Sequence, residues 1–139
     1  MITLNKTGIA AALIVASSGM AFSAAHAENA LDTAAQPLSH SVVVKSVTAA
    51  QDGWVVIHKV MDGKPVVPTS IGHTYVKAGT TTDVYVPLTD SYDGDTVIAM
   101  LHSDDGEPGV YQFGADGTDF DKPVAVDGNV VAAPIKIEK

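Results

Sequence analysis

From Ser41 onward the chain alternates short apolar runs with turn-forming punctuation. The runs, rich in Val, Ile, Thr and Tyr, cover 41–47, 54–60, 71–77, 81–88, 96–102, 109–113, 123–126 and 129–137. Between them fall Gln51-Asp52-Gly53, Asp62-Gly63-Lys64-Pro65, Lys77-Ala78-Gly79, Tyr92-Asp93-Gly94-Asp95, Asp105-Gly106-Glu107-Pro108 and Asp127-Gly128. Asp-Gly supplies the positive φ that tight hairpins need. No segment of this part shows helical spacing. Short strands at regular intervals with no helix between them predict an all-β sandwich or barrel.

The finer pattern ranks the strands by depth. Along 81–88, Val84, Val86 and Leu88 face one way and Asp83, Tyr85 and Pro87 the other, as in a half-buried strand. Pro87 suits an edge or a strand end. In 129–137, Val131, Ala133, Ile135 and Ile137 share a face. Trp54-Val55-Val56-Ile57 and Val97-Ile98-Ala99-Met100-Leu101 are apolar on both faces. They are expected to be central strands, with one face on the core and the other sheltered. Each of these two ends in His and runs into an Asp-Gly-x-Pro turn, an echo far shorter than a true repeat unit.

The first 40 residues follow other rules. Lys6 is the sole charged side chain before Glu28, an apolar stretch spans 8–22, and Ala25-His26-Ala27 follows. A basic head, an apolar segment and an A-x-A end make a secretory signal peptide, with cleavage expected after Ala27. The apolar stretch is shorter than the roughly 20 residues of a membrane-spanning helix. The expected division is signal peptide 1–27, flexible leader 28–40 and one β domain 41–139. The destination is secreted or periplasmic, with no membrane span after cleavage.

Charge narrows the partners. All sixteen acids lie after residue 27, against seven Lys and no Arg. Between Asp83 and Asp127 there are eleven acids and one base, Lys122. Such a surface repels phosphate backbones and anionic lipid, so no nucleic-acid partner is expected. Cations, or a protein or cell-surface partner, stay open. With no Cys, packing and backbone pairing must hold the fold.

Several segments together resemble an uncharacterised exported domain family of haloarchaea and bacteria, a domain of unknown function. They are Gly53-Trp54-Val55-Val56-Ile57-His58, Gly72-His73-Thr74 with Val76-Lys77-Ala78-Gly79-Thr80, and Ala99-Met100-Leu101-His102 with Asp104-Asp105-Gly106 and Gly109-Val110-Tyr111. The similarity extends from Val43 to Ile137 and is most specific over 100–113. It implies a small immunoglobulin-like or related antiparallel β-sandwich, here of seven or eight strands, at the cell surface or in the periplasm. It implies no activity. It does place His58, His73 and His102 in the family's pattern.

Two constellations bear on chemistry. His58, His73 and His102, with Met61 and Met100, form the first. Three imidazoles at one end of a sandwich suit Zn or Cu(II), and thioethers add affinity for Cu(I). The plainer alternative is three hydrogen-bonded histidines at strand ends, with Met as core filler. The second is acidic: Asp104, Asp105 and Glu107, followed by Asp116, Asp119 and Asp121. Calcium takes six to eight oxygen ligands from such loops, although the EF-hand spacing is missing and Asp and Gly are also what turns use. No nucleophile elbow, H-E-x-x-H or phosphate-cradling loop occurs, so an enzyme is not expected. Trp54, opening an apolar strand, is expected in the core. The sequence thus suggests an exported, non-enzymatic binding or surface-interaction module. The alternatives are a periplasmic copper- or zinc-binding protein and a calcium-stabilised surface domain.

Overall fold

The computed structural model describes residues 28–114 and 118–139. The expected signal segment 1–27 and Asp116 lie outside the described residues. Eleven strands follow in order: β1 Ala30–Asp32, β2 Gln36–Pro37, β3 Ser41–Ala49, β4 Gly53–Met61, β5 Lys64–Pro65, β6 Gly72–Val76, β7 Gly79–Pro87, β8 Thr96–Ser103, β9 Ala125–Val126, β10 Asn129–Val130 and β11 Ala132–Glu138. One sheet has the order β1-β3-β7. The other runs β2-β11-β8-β4-β5, with β6 also paired to β4, and β9 and β10 form a separate hairpin. The result is a small all-β sandwich whose long ladders are antiparallel. Among the described residues no helix is long and apolar enough to cross a membrane.

The core lies between the two sheets. Val42, Val44, Val47, Val84 and Val86 come from the smaller sheet; Val55, Ile57, Val97, Ala99, Leu101, Ile135 and Ile137 come from the larger. Burying side chains of this kind contributes about 1.5–3 kcal/mol each. The alternation expected along 81–88 is present, with Val84 and Val86 buried and Tyr85 exposed. In β3 the alternation slips by one residue between Val44 and Val47. The slip falls where the β3–β7 ladder omits Lys45 and Asp83, and Asp83 has a left-handed backbone at φ 53°.

Two of the Asp-Gly pairs close hairpins as expected, whereas Asp52-Gly53, Asp93-Gly94 and Asp105-Gly106 lie in other connections. Asp62 and Gly63 have φ 52° and 77°, Asp127 and Gly128 φ 52° and 82°, and each pair joins neighbouring antiparallel strands.

Two expectations meet a different structure. Residues 28–40, read as a flexible leader, carry β1 on β3 and β2 on β11. Asn29 Oδ1 accepts from Ala50 N at 2.8 Å, and Gln36 exchanges two 2.9 Å bonds with the Val43 backbone. Short polar segments can be held by strand pairing and side-chain hydrogen bonds, which leave no hydrophobic period to read. Residues 109–113, read as a strand, form a loop. Carboxylates take its amides instead: Gly109 N donates to Asp104 and Gln112 N to Asp121.

Candidate ligand site on the outer face of the larger sheet

Strands β4 and β8 are buried on both faces, as their double-sided apolar pattern predicts. Successive side chains of a strand point to opposite faces. Val55 and Ile57 enter the core, so Trp54, Val56 and His58 face outward; on β8, Ile98, Met100 and His102 do the same. Register sets these outward residues in rows. Tyr75 on β6 and His102 on β8 both pair with Trp54 on β4; His73, Val56 and Met100 form the next row; His58 then pairs with Ile98. Gly53 permits close approach of the strands here, because a Cβ at that position would meet the His102 carbonyl oxygen at 2.3 Å.

Two loops roof this face. The first, between β5 and β6, brings the carbonyls of Val66 and Thr69 each to 2.9 Å from His58 Nδ1. The second, between β8 and β9, brings the Asp121 carbonyl to 2.7 Å from His102 Nδ1. Asp121 organises the second loop. It is fully buried and left-handed at φ 55°. Its Oδ1 accepts from Asp105 N and Gly106 N, and its Oδ2 from Gln112 N. In return its own N–H donates to Asp105 Oδ1 at 2.6 Å. Lys122 O and Leu101 O then tie the returning chain to β8.

Beneath the roof lies an aromatic cluster. Trp54 meets His73, Tyr75 and Tyr111 edge-on at centroid distances of 5.4, 5.1 and 5.6 Å. Tyr111 stacks on His73 at 4.5 Å, and Phe113 meets His102 edge-on at 4.9 Å. His58 and His102 lie with ring planes 22° apart and centroids 5.7 Å apart. Trp54 is buried as expected, at 6% exposure. Its ring packs under the loops, on the side of the sheet away from the main core.

The two buried histidines have a defined protonation pattern. Carbonyls only accept hydrogen bonds, so Nδ1 carries the hydrogen in both rings and Nε2 of the neutral ring is a bare lone pair. Both Nε2 atoms are buried without a partner, as are Trp54 Nε1, Asp104 Oδ1 and Tyr111 Oη. Burial pushes His102 down to about 4, with the Asp121 carbonyl opposing and His58 reinforcing the shift. At neutral pH it is therefore an uncharged donor of electrons. His73 is also lowered by desolvation. Burial and the charge of Asp121 raise the Tyr111 hydroxyl, which Ser70 partly offsets.

The sequence candidates thus separate. His58 and His102 come from opposite ends of antiparallel strands, yet their rings meet over the middle of the sheet. His73 shares the face but is exposed and turned onto Tyr111. Met100 is buried in the row between the two histidines, whereas Met61 is exposed. Among the described residues no three His, Cys, Asp or Glu side chains gather as ligands for one ion. The carboxylates considered for calcium are partly committed to the loop itself: Asp104 Oδ2 to Gly109 N, Asp105 to Asp121 N and Ser103 Oγ. Glu107 is exposed, and its backbone N–H donates to Gln112 Oε1. Sequence reasoning missed Tyr111, Phe113 and Asp121 as parts of the histidine site. Their place within the most specific stretch of the resemblance, or just beyond it, was the available signal.

Comparison with curated proteins and with solved structures gives no match. A family model described as a domain of unknown function (DUF7282) matches residues 29–138, taking in both sheets and both roofing loops. The chain belongs to that family.

Proposed function

We propose that this chain is exported, cleaved after Ala27, and serves as a non-enzymatic binding module whose ligand is a transition-metal ion, copper or zinc. One observation carries the reading: two buried imidazole Nε2 lone pairs, on rings 5.7 Å apart, have no hydrogen-bond partner. Buried polar atoms are normally satisfied, and one left without a partner calls for an unseen water or ion. Neutral imidazole is the commonest metal ligand, and a hydrogen bond from Nδ1 to a carbonyl is the usual way a ligand histidine is oriented. The acidic surface would raise the local cation concentration without providing the site itself.

A thermal scan of the chelator-stripped exported protein with Zn²⁺, Cu²⁺, Cu⁺ or Ca²⁺ tests this. A site held at one hundred times its dissociation constant stabilises by about 2.7 kcal/mol. At about 4–8 °C per kcal/mol the melting temperature should rise by roughly 10 °C or more. The rise should depend on His58 and His102. A rise that survives loss of both histidines is carboxylate binding and refutes the reading, as does no rise with any ion.

A further inference from the structure

We infer that a quaternary ammonium group binds in the depression where the two roofing loops meet. The inference goes beyond the metal-binding reading and does not depend on it. The depression has a volume of about 230 Å³ and is lined by Pro68, Thr69, Ser70, Tyr111, Phe113 and Gly114. It is smaller than the roughly 300–1,000 Å³ of sites for drug-sized ligands, so it suits a head group. One wall is the loop between β5 and β6, the other the loop between β8 and β9. They touch at Gly114, where a Cβ would lie 2.6 Å from Pro68 Cβ. Both walls are fixed in advance: His58 Nδ1 holds Thr69 O, and His102 Nδ1 holds Asp121 O. Tyr111 is stacked on His73, and Phe113 is set edge-on to His102. A preformed site binds without the cost of ordering its walls.

Charge selection comes from what stands behind the lining. No lining residue is acidic or basic. The fully buried Asp121, however, accepts through Oδ2 from Gln112 N at 2.8 Å, which puts a carboxylate against the segment joining Tyr111 to Phe113. Asp121 belongs to none of the ion pairs among the described residues. Its charge reaches Tyr111, where it adds to burial in raising the hydroxyl. The nearby imidazoles do not offset it at neutral pH, since burial lowers both His73 and His102. A negative charge backing aromatic rings attracts cations and repels anions. The net charge of the chain, −8, acts in the same direction.

Hydrogen-bond supply then favours a quaternary cation over a Lys ammonium. An ammonium brings three N–H donors and loses hydration on entry unless acceptors replace it. The side-chain acceptors of the lining are the Thr69 and Ser70 hydroxyls, because Tyr111 Oη is buried. The Asp121 oxygens are taken by three backbone amides. A quaternary ammonium has no N–H to satisfy. It needs apolar walls, aromatic rings and a negative field, the mode by which aromatic sites recognise such groups.

The experiment titrates the chelator-stripped exported protein with tetramethylammonium, with choline, and with the neutral isostere of choline in which a tert-butyl group replaces trimethylammonium. Backbone amide shifts report binding. Both cations should saturate one set of shifts centred on Thr69, Ser70, Phe113 and Gly114, in the millimolar range or tighter. The isostere should bind at least about 10-fold more weakly, the loss expected of two cation–π contacts. Phe113→Leu keeps an apolar wall and removes a ring; it should weaken both cations by about 5-fold and leave the isostere unchanged. Native Trp54 emission shows that the variant is folded, and the isostere comparison needs no mutation at all. Phosphatidylcholine vesicles, tested alongside, distinguish a lipid head group from a free solute as the source; either satisfies the proposal. An isostere that binds as tightly as choline overturns it. So do shifts confined to the acidic turns, or no saturable shift by tens of millimolar. None of these outcomes touches the histidine-dependent thermal shift that tests the metal-binding reading.

Discussion

The rings of His58 and His102 lie 5.7 Å apart, although their strand positions are four residues out of register: His58 pairs with Ile98, and His102 with Trp54. The side chains must therefore lean toward each other over the Val56–Met100 row. Each is steered by a loop carbonyl at Nδ1, which turns Nε2 away from its anchor. Burial of His102 gives the domain a pH signature.

His102 is held near 4 by burial, while an unfolded histidine titrates near 6.5. Between those values the unfolded chain binds more protons than the native one, so stability rises with pH across this window. The contribution is complete above about pH 6.5 and is lost as pH falls toward 4. Its size is on the order of 3 kcal/mol. His73 shifts in the same direction. Asp52, lowered chiefly by the Ala78 amide, and Asp90, lowered by Lys59, act below the usual carboxylate range and outside this window. Denaturant unfolding at pH 7 and pH 4.5 should show the loss, and His102→Gln should flatten the dependence. An unchanged slope in that variant would assign the effect elsewhere.

Trp54 is the sole tryptophan and is buried beneath the loops. Its emission should be blue-shifted in the native state and move to the red on unfolding. Trp54→Ala should cost about 3–5 kcal/mol, a large part of the roughly 5–15 kcal/mol a domain possesses. An unchanged melting temperature would mean that the aromatic cluster contributes nothing to stability.

Asp121 accepts from three backbone amides through one buried carboxylate. Asp121→Ala leaves those donors bare, at about 1–3 kcal/mol for each buried donor. The summed loss should be about 3 kcal/mol or more, and the melting temperature should fall by more than about 10 °C. Amide exchange should speed first at Asp105, Gly106 and Gln112. Uniform acceleration across all strands would argue against a role confined to the loop.

Gly53→Ala places a methyl 2.3 Å from the His102 carbonyl oxygen. Backbone cannot yield as a flexible side chain does, so β4 and β8 must separate, at a cost of about 1–3 kcal/mol. Chemical-shift changes in the variant should centre on His102 and Ser103. Gly63→Ala, at φ 77° in open space, should cost about 1 kcal/mol and leave His102 unmoved.

Protein recovered from the exported fraction should begin at Glu28, by intact mass. That terminus keeps Asn29, whose side chain caps Ala50 N, and all of β1. A mass retaining residues 1–27 would contradict cleavage after Ala27.

Strand identity was legible in the sequence because local pattern specifies it. The double-sided apolar runs 54–57 and 97–101 became the buried strands β4 and β8. The Asp62-Gly63 and Asp127-Gly128 pairs became hairpin turns, since few other dipeptides tolerate two successive positive φ angles. The three histidines were also visible, through spacing and the resemblance. What the sequence could not carry was their partnership. His58 and His102 stand 44 positions apart and meet only because register sets β4 beside β8 and two loops fix each Nδ1. His73, on the neighbouring strand, is claimed instead by Tyr111, a residue read as part of a strand. The acidic run looked like a cation loop, yet Asp105 and Asp121 bind each other's amides. Periodicity reports which face a side chain takes. Which distant group meets it there depends on long-range pairing, and only the tertiary structure decides that.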